Sequence, residues 1–363
     1  MADYNEKIKD LEKQISTTKY NKKTQHAIGM YKAQLAKLKD KEESRGKGGK
    51  KGEGYVVRKT GDGTALLLGF PSVGKSTLLN ALTNANSEVG AYDFTTLDVI
   101  PGLMEQDHAK IQILDVPGIV RGAASGKGRG KEVLSVMQNA DLVLILIDVN
   151  YPEQLDILMK EVYDSHIRVN QRRPDVRIKK TAKDGIRLGA TVKLSLQRDT
   201  IKAVLNEFKI NNADVIIRSD ITVDQLIDCI ENNKKYLPGI TILNKIDSVS
   251  EERLEEVIKL TKADLCVSAQ KETGLEELRV LIFKRLELMK LWMKEPAKEV
   301  DMKEPLIITT NSTVKDVCSK LHKDFISKFK FCRVTVPSAK FPGQKLSLNH
   351  VLQNNDILEL HMT

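Results

Sequence analysis

Gly69-Phe70-Pro71-Ser72-Val73-Gly74-Lys75-Ser76 has the form G-x-x-x-x-G-K-[ST], and its reading decides the fold. The apolar run Ala65-Leu66-Leu67-Leu68 precedes it, and a helical pattern, Ser76-Thr77-Leu78-Leu79-Asn80-Ala81-Leu82, follows it. Strand, glycine loop and helix is the order a phosphate-binding loop requires. Glycine lets the backbone turn tightly, so that successive N–H groups face phosphate oxygens. The helix start adds the positive end of its dipole. Lys75 is expected to reach the β- and γ-phosphates and the Ser76 hydroxyl to ligate Mg²⁺. Phe70, Pro71, Ser72, Val73, Gly74 and Thr77 complete the expected cradle.

From about Tyr55 to Val149 the pattern alternates strand, loop and helix. Leu97 to Leu103 and Lys110 to Leu114 read as strands, with Asp107-His108 at their turn. Leu142 to Ile147 is a continuous apolar run, the mark of a strand buried on both faces of a mainly parallel sheet. The pattern resumes at Gly239 with strand Ile240–Leu243, a helix near Glu251–Thr261, strand Leu265–Val267 and a helix near Leu275–Met293. A doubly wound α/β domain over 63–166 and 238–295 is expected.

Three more short motifs fall at strand ends. Asp115-Val116-Pro117-Gly118 offers a carboxylate that holds Mg²⁺ through water and a Gly118 N–H for the γ-phosphate. Asn244-Lys245-Ile246-Asp247 offers a carboxylate for the N1–H and 2-amino donors of guanine. Adenine lacks that donor pair and would leave the Asp247 carboxylate unpaired. Lys245 lays its stem on the base and Asn244 braces the phosphate loop. Ser268-Ala269 is placed for a backbone N–H to guanine O6. Each motif is weak alone, but four in this order, each at a strand end, imply GTP and GDP as ligands. In Gly90-Ala91-Tyr92-Asp93-Phe94-Thr95-Thr96 a threonine is expected to ligate Mg²⁺ and touch the γ-phosphate, Thr96 first and Thr95 second. Its release after hydrolysis would let the loop relax.

The flanks read as separate pieces. Residues 1–45 form a charged helical hairpin, with Ile8, Leu11 and Ile15 on one helix, Ile28, Tyr31, Leu35 and Leu38 on the next, and a break near Ser16-Thr17-Thr18. Its lysine-rich face is either solvated or laid on RNA. Residues 46–62 are a basic glycine-rich linker or a phosphate contact. Residues 167–237 are too long for a connection and read as an α+β insertion. Its elements are strand Ile186–Leu196, helix Asp199–Phe208, strand Val215–Ile217 and helix Val223–Ile230. Its start is basic, with Arg172, Arg173, Arg177, Lys179, Lys180, Lys183 and Arg187, again a solvated face or an RNA contact. After a charged linker, Pro296 to Pro305, residues 303–363 read β-α-β-β, a ubiquitin-like β-grasp module. Its strands are Leu306–Thr309, Arg333–Val336 and Asp356–Leu360, and Thr313 with Asp316 caps its helix. No polar cluster in it reads as catalytic, so it is expected to be a docking surface.

Net charge is +9 over 363 residues, which favours an anionic partner. Four scattered cysteines and no C-x-x-C pair argue against both a zinc site and a disulfide framework. No apolar signal region and no stretch of membrane-spanning length occur, so a cytoplasmic protein is expected, with neither a membrane nor DNA as partner.

Taken with Phe94-Thr95-Thr96-Leu97, Asp115-Val116-Pro117-Gly118-Ile119 and Gly122-Ala123-Ala124-Ser125-Gly126-Lys127-Gly128-Arg129-Gly130, the chain resembles the developmentally regulated GTP-binding proteins of the Obg-related GTPases. The likeness runs over nearly the whole length, and the insertion is similar to the second domain of a small-subunit ribosomal protein. The resemblance implies a TGS domain at the C-terminus and a translation-associated GTPase that meets structured RNA or the ribosome. It also implies a stabilising partner of the DRG-family-regulatory type. Ile119 stands where many GTPases place the glutamine that orients water, and the resemblance then implies slow intrinsic turnover. A second charge source is needed at the transition state. Lys127 and Arg129 are candidates in cis, or else they contact a partner or RNA. A potassium ion is another candidate, although related users of potassium often carry Asn where this chain has Ser72. A different class stays open: an RNA- or ribosome-binding scaffold whose nucleotide site is structural.

Overall fold

The computed structural model describes residues 2–45, 61–83, 100–115, 139–296, 298–300, 302–322, 324–335 and 337–362. They fall into two compact units, one built from residues up to 45 with 162–236, the other from the remaining described residues.

The larger unit contains a six-stranded sheet. Its strands are β1 (Gly63–Gly69), β2 (Ile100–Gln106), β3 (Ala109–Asp115), β4 (Leu142–Asp148), β10 (Gly239–Asn244) and β11 (Leu265–Cys266), in the order β11-β10-β4-β1-β3-β2. All pairs are parallel except β2 with β3, an antiparallel hairpin whose turn is Asp107-His108, both at positive φ. Every residue of β1 and β4 is buried, which is why these strands read as unbroken apolar runs. Ala65, Leu67, Leu142, Leu144 and Leu146 pack against helices α3 (Lys75–Leu82) and α8 (Leu275–Arg285) through Leu78, Leu79, Leu82, Leu278 and Ile282. Between those helices in the chain come α4 (Gln154–Asp164) and α7 (Glu251–Thr261). The carboxyl ends of β1, β3, β4 and β10 lie along one edge of the sheet, with Asn244 in register with Asp148. In open α/β sheets that edge is where ligands bind.

The same unit carries a second sheet of five strands, β12 (Leu288–Met293), β13 (Leu306–Thr309), β14 (Phe329–Thr335), β15 (Gln344–Leu346) and β16 (Ile357–Met362). Their order is β13-β12-β16-β14-β15, with β12 and β16 parallel and the other pairs antiparallel, a β-grasp arrangement. Helix α9 (Val314–Leu321) packs Val314, Val317 and Cys318 on Met289, Leu291, Cys332, Val334 and Leu358, and a short helix, α10 (Asp324–Ser327), follows. Thr313 and Asp316 form the capping box expected for α9. The opposite face is covered over β12 by the β2–β3 turn: Lys290 pairs with Asp107 at 3.1 Å, and Trp292 meets His108 edge-on at 6.5 Å.

Two sequence expectations are corrected here. The helix over Leu275–Met293 stops at Arg285, and Leu288–Met293 is instead an inner strand of the β-grasp sheet, between β13 and β16. Glu287 turns left-handed at φ 52°, and Leu288 and Met289 face different cores, so no period-two alternation marks the strand. Tertiary pairing overrides the helical propensity of Leu-Met-Lys-Leu-Trp-Met. The β-grasp sheet therefore draws on residues well before 303.

In the smaller unit, α1 (Ala2–Thr17) and α2 (Gln25–Arg45) form the expected hairpin. Five further elements follow: β6 (Val176–Lys180), β7 (Ile186–Ala190), α5 (Arg198–Glu207), β8 (Ala213–Ile217) and α6 (Val223–Glu231). The three strands form a sheet in the order β6-β8-β7. Short strands β5 (Ile167–Val169) and β9 (Lys235–Leu237) pair with each other. Strand β6 lies inside the basic stretch, where Val176 and Ile178 alternate with exposed Arg177 and Lys179. Strand β7 ends at Ala190 rather than Leu196, and in the segment beyond it Asp220 accepts from the Ser195 backbone N–H (2.7 Å) and hydroxyl. Helix α2 packs on α5 and α6. Gly29 lies so close that a Cβ there would stand 2.9 Å from the Thr200 methyl. Lys32 binds Asp224 at 2.6 Å and Lys37 binds Glu207 at 2.7 Å. Two lysines of the hairpin are thus committed to the insertion. At the base of the unit Arg168 makes a two-pronged bond to Asp228, at 2.7 and 2.8 Å, and stacks on Tyr163.

Candidate functional site

The glycine loop leaves β1 at Gly69, where a Cβ would stand 2.7 Å from the Leu146 carbonyl oxygen. Ser72 turns at φ 63° and Gly74 at φ 97°, and a Cβ on Gly74 would strike the Asn244 amide at 2.5 Å. Gly74 caps α3 without a side-chain bond, so the first amide N–H groups of that helix point out of the loop without a side-chain acceptor. Together with the helix dipole this makes a cradle for an anion. The Lys75 ammonium lies inside it, donating to the carbonyls of Gly69 and Phe70 at 3.0 Å each. Burial pulls the Lys75 amine down from its ordinary value, and the charge of Asp115 partly restores it.

Asp115 ends β3 beside the loop and is buried. Burial pushes its carboxyl up, against the opposing effects of Lys75 and a hydrogen bond from Ser76. One of its oxygens, Oδ1, has no hydrogen-bond partner among the described residues. An orphaned buried carboxylate oxygen next to a serine hydroxyl is an oxygen-only donor set, which suits a hard divalent cation or its bound water. No cluster of three or more His, Cys, Asp or Glu suited to a metal occurs among the described residues. The four cysteines carry no disulfide.

Asn244 links this end of the site to the other. Its Nδ2 donates to the Val73 carbonyl at 2.8 Å, and its Oδ1 accepts from the Ala269 backbone N–H at 3.0 Å. Lys245, at φ 63°, donates to the Ser72 carbonyl at 2.7 Å and pairs with Asp148 at 2.8 Å, so its stem spans from β10 to the loop. Asp247 is the middle residue of the short 3₁₀ turn Ile246–Ser248, and its carboxylate accepts from the Ser268 hydroxyl at 2.6 Å, with Lys271 at 3.9 Å. The Ser268 bond holds the Asp247 carboxyl below the usual carboxylate range.

Phe70, Pro71, Ser72, Val73, Gly74, Lys75, Ser76, Thr77, Asp115, Asn244, Lys245, Asp247, Ser268 and Ala269 thus share the carboxyl edge of one sheet. Thr95, Thr96, Gly118, Ile119, Lys127 and Arg129 lie outside the described residues, as does the glycine-rich run over 46–60. Two side chains, Asp148 and Lys271, were not singled out from sequence. Asp148 holds Lys245 and accepts from the Asn150 backbone and side-chain amides, both at 2.9 Å. Lys271 faces Asp247. The only sequence signal for Asp148 was its place at the end of an unbroken apolar strand.

Residues 64–180 match the family described as 50S ribosome-binding GTPase, 183–288 the C-terminal region of the MMR_HSR1 domain, and 295–362 the TGS domain. Over 360 residues the chain is 49% identical to an uncharacterized GTP-binding protein of Methanocaldococcus jannaschii, covering 98% of this chain and 92% of the other. It is 41% identical to developmentally-regulated GTP-binding protein 1 of Xenopus laevis, over 98% of both chains. It is 40% identical to ribosome-interacting GTPase 1 of Saccharomyces cerevisiae, again over 98% of both. Among the described residues no helix is long and apolar enough to cross a membrane.

Proposed function

Since the chain belongs to the developmentally regulated GTP-binding proteins, P-loop GTPases that end in a TGS domain, we propose that it is a guanine-nucleotide switch that engages RNA or the ribosome according to the nucleotide it holds. The observation that carries the reading is the Asn244 bridge, which ties the phosphate cradle at Val73 to the base-reading end at Ala269. A ligand with phosphates at one end and a purine at the other fits that layout.

In this reading the loop amides and Lys75 hold the β- and γ-phosphates. Lys75 exchanges its bonds to the Gly69 and Phe70 carbonyls for phosphate oxygens. The phosphates also return to the ammonium the charge that burial disfavours. Ser76 and Asp115 would hold a magnesium ion, which neutralises phosphate charge as the terminal group departs. The Asp247 carboxylate takes the two guanine donors, Lys245 lies along the base, and the Ala269 region meets O6. Thr96 and Gly118 would sense the γ-phosphate, and Lys127, Arg129 or a potassium ion would supply transition-state charge.

The ribosome enters from a relative's name and from the net charge of +9. The family resemblance supports a regulatory protein partner, and a relative's ribosome-interacting name supports a cytoplasmic setting. Co-sedimentation with ribosomes, compared between GDP and a non-hydrolysable GTP analogue, tests the switch. The reading expects a clear difference between the two states. Equal pelleting in both, with GTP turnover unchanged by ribosomes at low and high potassium, would leave a scaffold instead.

A further inference from the structure

On the face of the β-grasp sheet turned away from α9, the half over β14, β15 and β16 carries an aromatic and cationic row. Phe331 on β14 and His361 on β16 are register partners and stack with centroids 4.3 Å apart at 21°. The Lys345 ammonium on β15 stands 4.6 Å from the Phe331 centroid, and the Arg333 guanidinium lies 5.9 Å from it. Lys294 flanks the row from the end of β12, at 3.3 Å from Glu359. Glu359 is the one acidic member. It is nearly buried, and it is shared by Lys294, Arg333 at 3.5 Å and His361 at 2.6 Å.

Fold stability does not account for this arrangement. Arg333 and Lys345 are directly opposite in the β14–β15 register, and like charges in that relation destabilise a sheet. Both are exposed, so no burial compensates. Three permanent cations over one carboxylate leave the face positive, and that excess lies beside flat rings. Cations alone would suit any anion, but rings beside them suit a polymer that alternates phosphate with an unstacked base. Duplex bases are hidden from such a surface, whereas single strands offer both groups together.

We infer that this half of the β-grasp face binds single-stranded RNA, a base stacking on the Phe331–His361 pair while Arg333, Lys345 and Lys294 meet the backbone phosphates. The inference rests on the RNA or ribosome reading above and names the surface that would serve it. Lys345 would leave the Phe331 ring for a phosphate, so stacking and charge contact form together.

The test is fluorescence anisotropy of the full chain, loaded with GDP, on a labelled mixed-sequence RNA strand of about 12 nucleotides, within the range such sites span. The double variant Arg333→Ala with Lys345→Ala should make the plot of log affinity against log salt shallower by about 1.4, from two lost phosphate contacts. Phe331→Ala should weaken binding at least about fivefold, the low end for one lost stacked base. His361→Ala, which removes the other ring of the pair, repeats that test should Phe331→Ala fold poorly. GTP turnover of the double variant should equal that of the parent, since neither residue touches the nucleotide site. Variants that bind as the parent does, a parent that does not bind the strand, or a poly-glutamate peptide that competes as well as RNA would each overturn the inference. Nucleotide-dependent ribosome pelleting that survives in the double variant would sink this surface and leave the switch standing.

Discussion

Asn244→Ala removes one side chain and two buried hydrogen bonds, and its cost can be worked from the structure. The Val73 carbonyl loses its donor at 2.8 Å and the Ala269 N–H loses its acceptor at 3.0 Å, both at buried residues. A buried polar group left without a partner costs about 1–3 kcal/mol, so two such groups cost roughly 3 kcal/mol after the site relaxes. For a unit of about 150–250 residues each kcal/mol shifts the melting temperature by about 2–4 °C, which puts the expected drop near 6–12 °C. Thermal unfolding followed by the fluorescence of Trp292 reports on this unit, because that residue is the chain's single tryptophan. Ser248→Ala is the control: it removes two exposed bonds, one to the Lys245 carbonyl and one from the Asn150 amide, and should shift the transition by under about 2 °C. Should Asn244→Ala melt within about 2 °C of the parent, the bridge is not a structural tie and the reasoning fails.

Asp247→Asn should turn base preference from guanosine toward xanthosine triphosphate, since an amide offers N–H to the carbonyl that xanthine carries there; equilibrium binding of the two nucleotides checks it. Asp148 is ionised to lower pH than an ordinary carboxyl: burial raises it, but bonds from Lys245 and Asn150 and the Lys245 charge outweigh that. Its folded value lies below its unfolded one near 3.8, so its contribution is present above that value and lost as pH falls through the folded value. The parent should therefore melt above Asp148→Asn at pH 7, and the gap should close as pH falls below the ordinary value of 3.8 and through the lower folded one. Arg168→Ala breaks a buried ion pair and should cost about 3–5 kcal/mol, while replacing both Arg168 and Asp228 by apolar residues of similar size should recover most of it. Chemical unfolding of the smaller unit, followed by circular dichroism, measures both.

The phosphate cradle was legible because its chemistry dictates its residues. Only glycine tolerates φ 97° with the Asn244 amide pressed against it, so the motif marks its own geometry. Asn244, Lys245 and Asp247 were legible for the same reason, each a distinct donor or acceptor. Asp148 was not, because its work is to hold Lys245, and nothing local marks a carboxylate as another side chain's partner. Strand β12 was misread because Leu288 and Met289 enter two different cores and Trp292 is half-buried opposite Leu291, which blurs alternation and leaves helix-forming residues in view. Strand β6 was missed because Arg177 and Lys179 dominate its composition, while Val176 and Ile178 settle its conformation by packing on the insertion's core. The polar face of α2 could not be placed from sequence, since its partners Asp224 and Glu207 lie far along the chain.

The central claim is a pocket that grips a triphosphate and reads the purine edge. Calorimetry with the full chain and magnesium, titrating GTP and ATP in turn, tests it most directly. The account predicts that the Asp247 carboxylate, paired by guanine and stranded by adenine, makes GTP bind at least tenfold tighter, about 1.4 kcal/mol. Equal affinity for the two nucleotides would contradict it.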